Sequence, residues 1–369
     1  VVYVAALGAI WNSNPERGLY RTRDGGETWQ LVKFISDKAG FVDVILHPHH
    51  PEVVWAASWE RVRGPYFLQS GGPGSGLWKS TDGGDTWTEV KGNGFPTAMK
   101  GRIGLAIAPS NPRTMYAMVE AEKEPDGTGG NGLYRSRDEG VTWEKMNDVN
   151  VRPFYYSQVR VDPRDENRVY FSSTPLNFSN DGGKTYGTTT NNVHVDHHAM
   201  WIDPNDPDRI VVGNDGGAAI SFDRGGNWVV LNQFALGQFY DVSYNMDIPY
   251  RVCGGLQDNG TWCGPSRVAS GGLTNHHWAT INGGDGFYSA QDPVNPDIVW
   301  AESQGGAMAR INMRTGERTT LQKPDWMTVW RPYQDTIITL LEQGVPETDA
   351  RIQDLRRRAS ADSARFDLR

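Results

Sequence analysis

Short apolar stretches separated by turns make up most of the chain. Five times, an apolar strand is followed by a turn with one or two prolines and then by a second strand that ends in an aromatic or β-branched residue. These segments are 45–55, 107–116, 161–170, 202–211 and 291–300. Short strands bounded by proline and glycine turns are typical of all-β folds. The pattern therefore predicts a series of antiparallel hairpins.

A second motif interleaves with these hairpins. The pattern S/T-x-D-x-G-x-x-W/Y occurs at 22–29, 80–87, 136–143, 179–186 and 221–228. Its hydroxyl and carboxylate can accept backbone N–H bonds while its glycine takes positive φ, so the motif predicts a hairpin turn. We expect turn formation, not catalysis, from its acids, which are Asp24, Asp82, Asp138, Asp181 and Asp223. We also expect four rings to be buried against their own turns and not to form a sugar-stacking surface: Trp29, Trp87, Trp143 and Trp228.

Together, one proline hairpin and one Asp turn make a four-stranded antiparallel unit. Seven units can be delimited, at about 1–35, 36–93, 94–149, 150–190, 191–232, 233–284 and 285–323. The first is predicted to lack its inner strand, and the last two lack the Asp turn. Stacked radially, such sheets form a β-propeller. We therefore predict an all-β propeller of about seven blades over 1–323.

A linker and helical tail are predicted over 324–369. Helices are expected at 334–343 and from a cap at Thr348 through Arg358. The second helix has only a thin apolar stripe, which indicates a solvated or loosely docked tail. Alternatively, the run Arg356–Arg358 meets an acidic partner or a lipid surface.

Composition narrows the class of protein. The chain has 43 Gly and 14 Trp, and only 38% of its residues are hydrophobic, which suits short strands and glycine turns. With 36 basic and 44 acidic residues the net charge is −8, which disfavours nucleic acid as a partner. No run of 18 apolar residues and no leader pattern is present in this sequence, so we expect neither a transmembrane segment nor a signal peptide here.

Two cysteines, Cys253 and Cys263, bracket a glycine-rich stretch that could fold back on itself. This spacing favours a disulfide and an oxidising compartment. The alternative is two unrelated buried thiols.

The Asp turns resemble the Asp-box, or bacterial neuraminidase repeat. Longer strings narrow the resemblance, namely those at 70–84, 152–158, 193–204, 254–262 and 283–287. They are similar to the bacterial sortilin-like Asp-box propeller family, whose members are often labelled glycosyl hydrolase by similarity. The resemblance covers about residues 1–322. It implies an extracytoplasmic protein, periplasmic or secreted, of a class that binds peptides and proteins.

Candidate site residues follow from propeller geometry, because the first strand of each blade lines the central channel. Residues that open these strands, with nearby loops, should converge on one mouth, where aromatic and polar groups suit a sugar or an extended peptide. The candidate ligand-binding residues are Arg102, Tyr155, Tyr156, Gln158, His197, His198, Gln238, Tyr240, Gln257 and Asn259. The alternative is that they bond neighbouring blades and fill the channel.

Catalysis would need paired carboxyls about 5 to 9.5 Å apart. The candidates are Asp196, Asp215, Asp258 and Asp285. His194, Asp196 and His198 alternate, but three ligands from one strand span about 13 Å, too far for one ion without a bend. We predict no metal and no cofactor.

Two functions remain at this point. The main expectation is a non-catalytic scaffold subunit outside the cytoplasm, bound to a protein or peptide partner and docked on a larger, membrane-attached assembly. The alternative is a glycoside hydrolase that acts on a polysaccharide through two of the four aspartates.

Overall fold

The computed structural model describes residues 1–231, 234, 236–269, 271–321 and 326–367. The chain divides into two compact units, unit 1 (Val1–Asn232) and unit 2 (Gln233–Arg369). Each unit is described by itself.

Unit 1 contains five antiparallel sheets in chain order. Sheet 1 has β1 (Val2–Ala6), β2 (Gly18–Thr22) and β3 (Gln30–Lys33). Sheet 2 has β4 (Ala39–Leu46), β5 (Val54–Arg63), β6 (Leu68–Ser70), β7 (Gly76–Ser80) and β8 (Thr88–Val90). Sheet 3 has β9 (Lys100–Ile107), β10 (Met115–Ala121), β11 (Gly132–Ser136) and β12 (Glu144–Asn147). Sheet 4 has β13 (Val159–Val161), β14 (Val169–Ser172), β15 (Leu176–Ser179) and β16 (Gly187–Thr188), and sheet 5 has β17 (His197–Ile202), β18 (Ile210–Asn214), β19 (Gly217–Ser221) and β20 (Val229–Val230).

Successive sheets of unit 1 pack face to face. Trp55 of sheet 2 and Met115 of sheet 3 share one buried cluster, and Tyr116 of sheet 3 and Phe171 of sheet 4 share the next. Because side chains alternate across a strand, the middle strand of a sheet can supply both neighbouring cores, as adjacent residues of β10 do here. This arrangement explains the nearly continuous apolar runs of the middle strands.

Each Asp turn of unit 1 is closed by the same local hydrogen bonds. In the first turn, the Thr22 hydroxyl donates to Asp24 at 2.7 Å and accepts the Gly26 N–H at 2.9 Å, while Asp24 accepts the Thr28 N–H at 3.0 Å. Equivalent bonds form around the other four acids, Asp82, Asp138, Asp181 and Asp223. Hydroxyl and backbone donors lower the pKa of Asp24 far below its usual range. These carboxylates are thus engaged within their own turns.

Burial of the motif rings differs from turn to turn. Trp143 is buried, and its indole N–H donates to the Gly140 carbonyl at 3.1 Å. Trp87 and Trp228 are half-buried. The expectation of burial is wrong for Trp29, which is 44% exposed. The reason is that the later turns lie against the preceding sheet, whereas a Cβ at Gly25 would meet nothing within 4 Å.

Unit 2 contains two further antiparallel sheets. Sheet 6 has β21 (Phe239–Tyr244), β22 (Arg251–Leu256), β23 (Gly260–Pro265) and β24 (Ala279–Asn282), and sheet 7 has β25 (Ser289–Gln291), β26 (Ile298–Ser303), β27 (Ala307–Asn312) and β28 (Arg318–Leu321). Cys253 and Cys263 face each other across β22 and β23 and form a disulfide. Its sulfurs lie in the core between the two sheets, beside Val299.

Two helices complete unit 2, α1 (Trp326–Glu342) and α2 (Ala350–Asp367). They pack against each other, and Ile337, Ile352 and Ala359 are buried. The first helix begins earlier than the sequence predicts and includes Pro332. The second extends nine residues past Arg358. Neither described helix is long and apolar enough to cross a membrane.

Seven sheets in the described residues match the seven predicted units, and the first has three strands as expected. The fold is that of a nearly all-β, Asp-box β-propeller with two helices, as predicted. The predicted boundary between propeller and tail, at 323 and 324, lies outside the described residues.

Candidate functional site

The first strands of three successive sheets of unit 1 enclose a pocket of about 200 Å³. Its wall includes Asp43 of β4, Arg102 of β9, and Gln158 and Arg160 at β13. Asp43 accepts the Leu105 N–H at 2.8 Å, so its carboxylate also joins sheets 2 and 3. Burial raises the pKa of Asp43.

Arg102 fixes the loop that precedes β13. Its guanidinium donates to the Tyr155 carbonyl at 2.6 Å and to the Phe154 carbonyl at 3.1 Å. Burial lowers the pKa of Arg102 to about 10, which still leaves it charged at neutral pH. The predicted ligand-binding group is therefore partly used to hold the backbone of its neighbour.

The same loop and β17 place two neighbouring rings, Tyr156 and His198, each of which contacts one candidate carboxylate. The buried Tyr156 hydroxyl donates to Asp196, and the His198 ring, 5.4 Å from the Tyr156 ring, lies 3.3 Å from the Asp215 carboxylate. Asp196 adopts a positive φ of 64°, a conformation that costs energy for most residues and is frequent at functional sites. Burial, with the bond to Asp196, raises the pKa of Tyr156 to about 12. Tyr156 therefore stays a proton donor at neutral pH.

Gln158 connects this group to the pocket. Its side-chain amide donates to the His198 carbonyl at 2.7 Å, and the residue also lines the pocket. The carboxylate cluster of unit 1, as we call Tyr156, Asp196, His198 and Asp215, thus lies next to a concave, polar surface.

His197 does not belong to this surface, which corrects its prediction as a ligand-binding residue. Its side chain is 1% exposed, and Nε2 lies 3.1 Å from the Thr190 hydroxyl. Neighbouring residues of a strand point to opposite faces, so His197 points inward where His198 points outward. Burial lowers the pKa of His197 to about 4. No group of three or more His, Cys, Asp or Glu side chains suited to a metal occurs in the described part of the chain.

Unit 2 holds a second pair of candidate carboxylates. Asp285 accepts the Asp258 N–H at 2.7 Å on one oxygen and the Gln304 amide at 2.7 Å on the other. Tyr240 is stacked on Phe287, with ring centroids 5.4 Å apart and planes 9° from parallel. Tyr240 is 47% exposed, and burial together with Asp285 and Asp258 raises its pKa. We call this group the aromatic–carboxylate cluster of unit 2.

The remaining candidates of unit 2 shape the hairpin between β22 and β23. The Gln257 N–H donates to the Gln238 carbonyl at 3.3 Å, and the Asn259 amide donates to the Gln257 carbonyl at 2.9 Å. Asp258, between them, has a positive φ of 59°. These residues hold the turn that presents Asp258 beside Asp285.

Sequence reasoning missed three residues of these sites. Asp43 lies within an ordinary apolar strand, and Gln304 lies in a turn of sheet 7, so neither carries a recognisable motif. Phe287 ends the Gly-Gly-Asp-Gly-Phe string, and the aromatic residue after that glycine turn was the available signal.

Comparison with known proteins supports the repeat and adds a chemical class. The family model "BNR/Asp-box repeat" matches residues 20–31, which confirms the Asp-box assignment. The chain is 27% identical over 154 residues to an oligoxyloglucan-reducing end-specific xyloglucanase of Emericella nidulans, covering 42% of this chain and 17% of that protein. It is 26% identical over 212 residues to a xyloglucanase of a Paenibacillus species, covering 53% of this chain and 17% of that protein. The match therefore spans less than a fifth of either relative.

Solved structures agree on the fold. A GH74 enzyme of Niastella koreensis superimposes with a TM-score of 0.54 at 17% identity, covering 83% of this chain and 47% of that one. Because the curated relatives are xyloglucanases, the expectation of a non-catalytic scaffold subunit is wrong, and the alternative of a carbohydrate hydrolase is favoured. Nothing in these matches supports the predicted protein partner.

Proposed function

We propose that this chain is a glycoside hydrolase module that acts on xyloglucan or a related β-glucan. The observation that carries the proposal is the carboxylate cluster of unit 1, next to a polar pocket. There the Tyr156 hydroxyl bonds Asp196, and the Tyr156 ring lies beside that of His198, which contacts Asp215. The similarity to xyloglucanases supports the substrate class.

Glycoside hydrolysis needs one carboxyl that protonates the leaving oxygen and a second that acts as base or nucleophile. Asp196 accepts the hydrogen bond of Tyr156, which remains protonated, so we assign Asp196 the role of base or nucleophile. Asp215, whose carboxylate lies 3.3 Å from Nε2 of the half-exposed imidazole of His198, is the second carboxyl of the cluster. We assign Asp215 the role of acid.

The aromatic–carboxylate cluster of unit 2 is proposed to bind sugar. Tyr240 offers an exposed ring face supported from behind by Phe287, and Asp258 and Asp285 offer hydrogen-bond acceptors for sugar hydroxyls. Its role is kept separate from catalysis because Asp285 is engaged on both oxygens.

We also propose that the protein works outside the cytoplasm. A polymeric glucan is an extracellular substrate, and the buried disulfide suits an oxidising compartment. Fractionation of the native host, with the disulfide state measured in each fraction, tests this location.

Release of reducing sugar from xyloglucan and from mixed-linkage β-glucan tests the activity. Loss of a catalytic acid or base should lower the rate by about 10² to 10⁴. The rates of sugar release by Asp196→Asn and by Asp215→Asn should therefore each be at least about a hundredfold lower than that of the unaltered protein. The matched control is Asp126→Asn, an exposed carboxylate that bonds only within its own loop.

Two results would change the proposal. No sugar release by the unaltered protein on either glucan contradicts it. If activity survives in both unit 1 variants but is lost in Asp258→Asn and Asp285→Asn, the protein is still a hydrolase, but its catalytic carboxyls are Asp258 and Asp285 of unit 2.

A further inference from the structure

Sheet 2 carries an extension that the other described sheets lack. Strand β5 continues past its pairing with β7 and forms a second hairpin with β6, in which Arg61 lies opposite Ser70 and Arg63 opposite Leu68. Two aromatic residues at its tip, Tyr66 and Phe67, are 100% and 59% exposed. Exposed aromatic residues on a rigid hairpin are characteristic of binding surfaces.

A second loop is fixed beside this hairpin. The fully buried Arg17 donates to the Ala9 carbonyl at 2.7 Å and to the Arg61 carbonyl at 3.0 Å. The Arg63 N–H donates to the Ile10 carbonyl at 2.8 Å. These bonds place Trp11, which is 61% exposed, with its ring 5.7 Å from the Arg63 guanidinium. Aromatic and cationic groups thus share one surface.

The charge on this surface lacks an acidic counterpart. Arg61 lies over the buried Trp59 ring at 4.9 Å, and Arg102 lies over the same ring at 5.5 Å. Within the described residues, neither Arg61 nor Arg63 forms an ion pair, and the buried Nε of Arg61 has no hydrogen-bond partner. Burial and the neighbouring Arg63 lower the pKa of Arg61.

Glu120, an acid beside the β6 residue Ser70, is already hydrogen-bonded. One oxygen of Glu120 accepts the Ser70 hydroxyl at 2.6 Å and the Arg102 N–H at 2.8 Å. Among the described residues, the ionisable groups that shift the pKa of Arg61 most are Arg63, Tyr155 and Arg17. Guanidinium groups without an ion-pair partner are suited to bind a planar carboxylate, with which they can form two parallel hydrogen bonds.

We infer that Arg61, Arg63 and Trp11, with the β5–β6 hairpin, form a subsite for an acidic sugar, in which the guanidinium groups bind a uronate carboxylate and the exposed rings stack on the sugar. This inference goes beyond the proposed function, because it adds an acidic sugar to the neutral glucans of that proposal, and it rests on that function for the ligand being a glycan.

Binding of tetragalacturonate, measured by calorimetry against its fully methyl-esterified and therefore neutral form, tests the subsite. Since a hydrogen bond to a charged group is worth about 1.5 to 3 kcal/mol, the acidic form should bind at least about tenfold more tightly. Arg61→Gln and Arg63→Gln should reduce this ratio to near one and leave the affinity for the neutral form unchanged. The control Arg113→Gln, an exposed arginine in the turn after β9, should keep the ratio.

Trp11→Ala provides a second readout that does not depend on charge, since it should weaken both ligands alike. Equal affinity for the two ligands in the unaltered protein overturns the inference, as does a ratio that survives in both arginine variants. Displacement of tetragalacturonate by sodium phosphate at the concentration at which galacturonate displaces it would indicate a general anion site and also overturn it. Xyloglucan hydrolysis by the same arginine variants is scored separately, so a failed hydrolase and a failed subsite give different results.

Discussion

The burial of the motif tryptophans predicts different stability costs for the same substitution at two equivalent turns. Trp143 is 6% exposed and packs on Phe95, with ring centroids 5.2 Å apart, whereas Trp29 is 44% exposed. A tryptophan side chain buries about 200 Å², and at about 25 cal/mol per Å² complete burial contributes about 5 kcal/mol. Scaled by the buried fraction of each ring, Trp143→Ala should therefore cost about 5 kcal/mol and Trp29→Ala about 3 kcal/mol.

Urea unfolding followed by circular dichroism measures this difference. Because the chain has two compact units, the midpoints are compared directly and not converted through a two-state model. We expect the midpoint to fall clearly further for Trp143→Ala than for Trp29→Ala, by about one and a half times or more. Equal shifts, or a larger shift for Trp29→Ala, would show that the ring of the first turn is covered after all and that the packing assigned to these turns is wrong.

Two further predictions concern buried groups. Because the folded state keeps His197 neutral down to about pH 4 while an unfolded imidazole protonates near pH 6.5, acidification between these values should lower the free energy of unfolding by up to about 3 kcal/mol. A His197→Gln variant should lose most of this slope in melting curves recorded from pH 7 to pH 4.5, and an unchanged slope would contradict the assignment. Reduction of the Cys253–Cys263 disulfide, which closes a loop with a sequence separation of 10, should destabilise unit 2 by about 3 kcal/mol. A variant with both cysteines changed to alanine should melt at the temperature of the reduced protein and show no response to dithiothreitol.

The fold was predictable because its signals are local and repeated. The Asp turn closes through bonds among residues no more than four positions apart, so each copy of the motif specifies its hairpin without help from the rest of the chain. Likewise, the β-branched and aromatic side chains of the middle strands become buried as soon as the neighbouring sheets pack against them. Because these weak local signals recur along the chain, the number of units they predict agrees with the number of sheets in the described residues.

The functional clusters were only partly predictable, because they depend on contacts between distant residues. Tyr156 and Asp196 are 40 positions apart, as are Gln158 and His198, and no spacing rule links them. Alternation could have separated His197 from His198, but the ladder shifts register between His197 and Ala199, so facing directions are certain only in the structure. Asp43 carried no signal at all, since an acid in an apolar strand is usually exposed.

Repeat spacing is a functional signal in its own right. The acids Asp24 and Asp82 are 58 positions apart, whereas Asp181 and Asp223 are 42 apart. Four strands and their turns fit the shorter period, so the longer one must hold chain that the sheet does not need. In sheet 2 that chain forms the β5–β6 hairpin and its glycine-rich continuation, which carry Arg61 and Arg63. Since loops tolerate insertion and scaffold strands do not, excess length within a regular repeat marks where recognition is expected. Here the excess length identifies the segment that carries Arg61 and Arg63 independently of their charge.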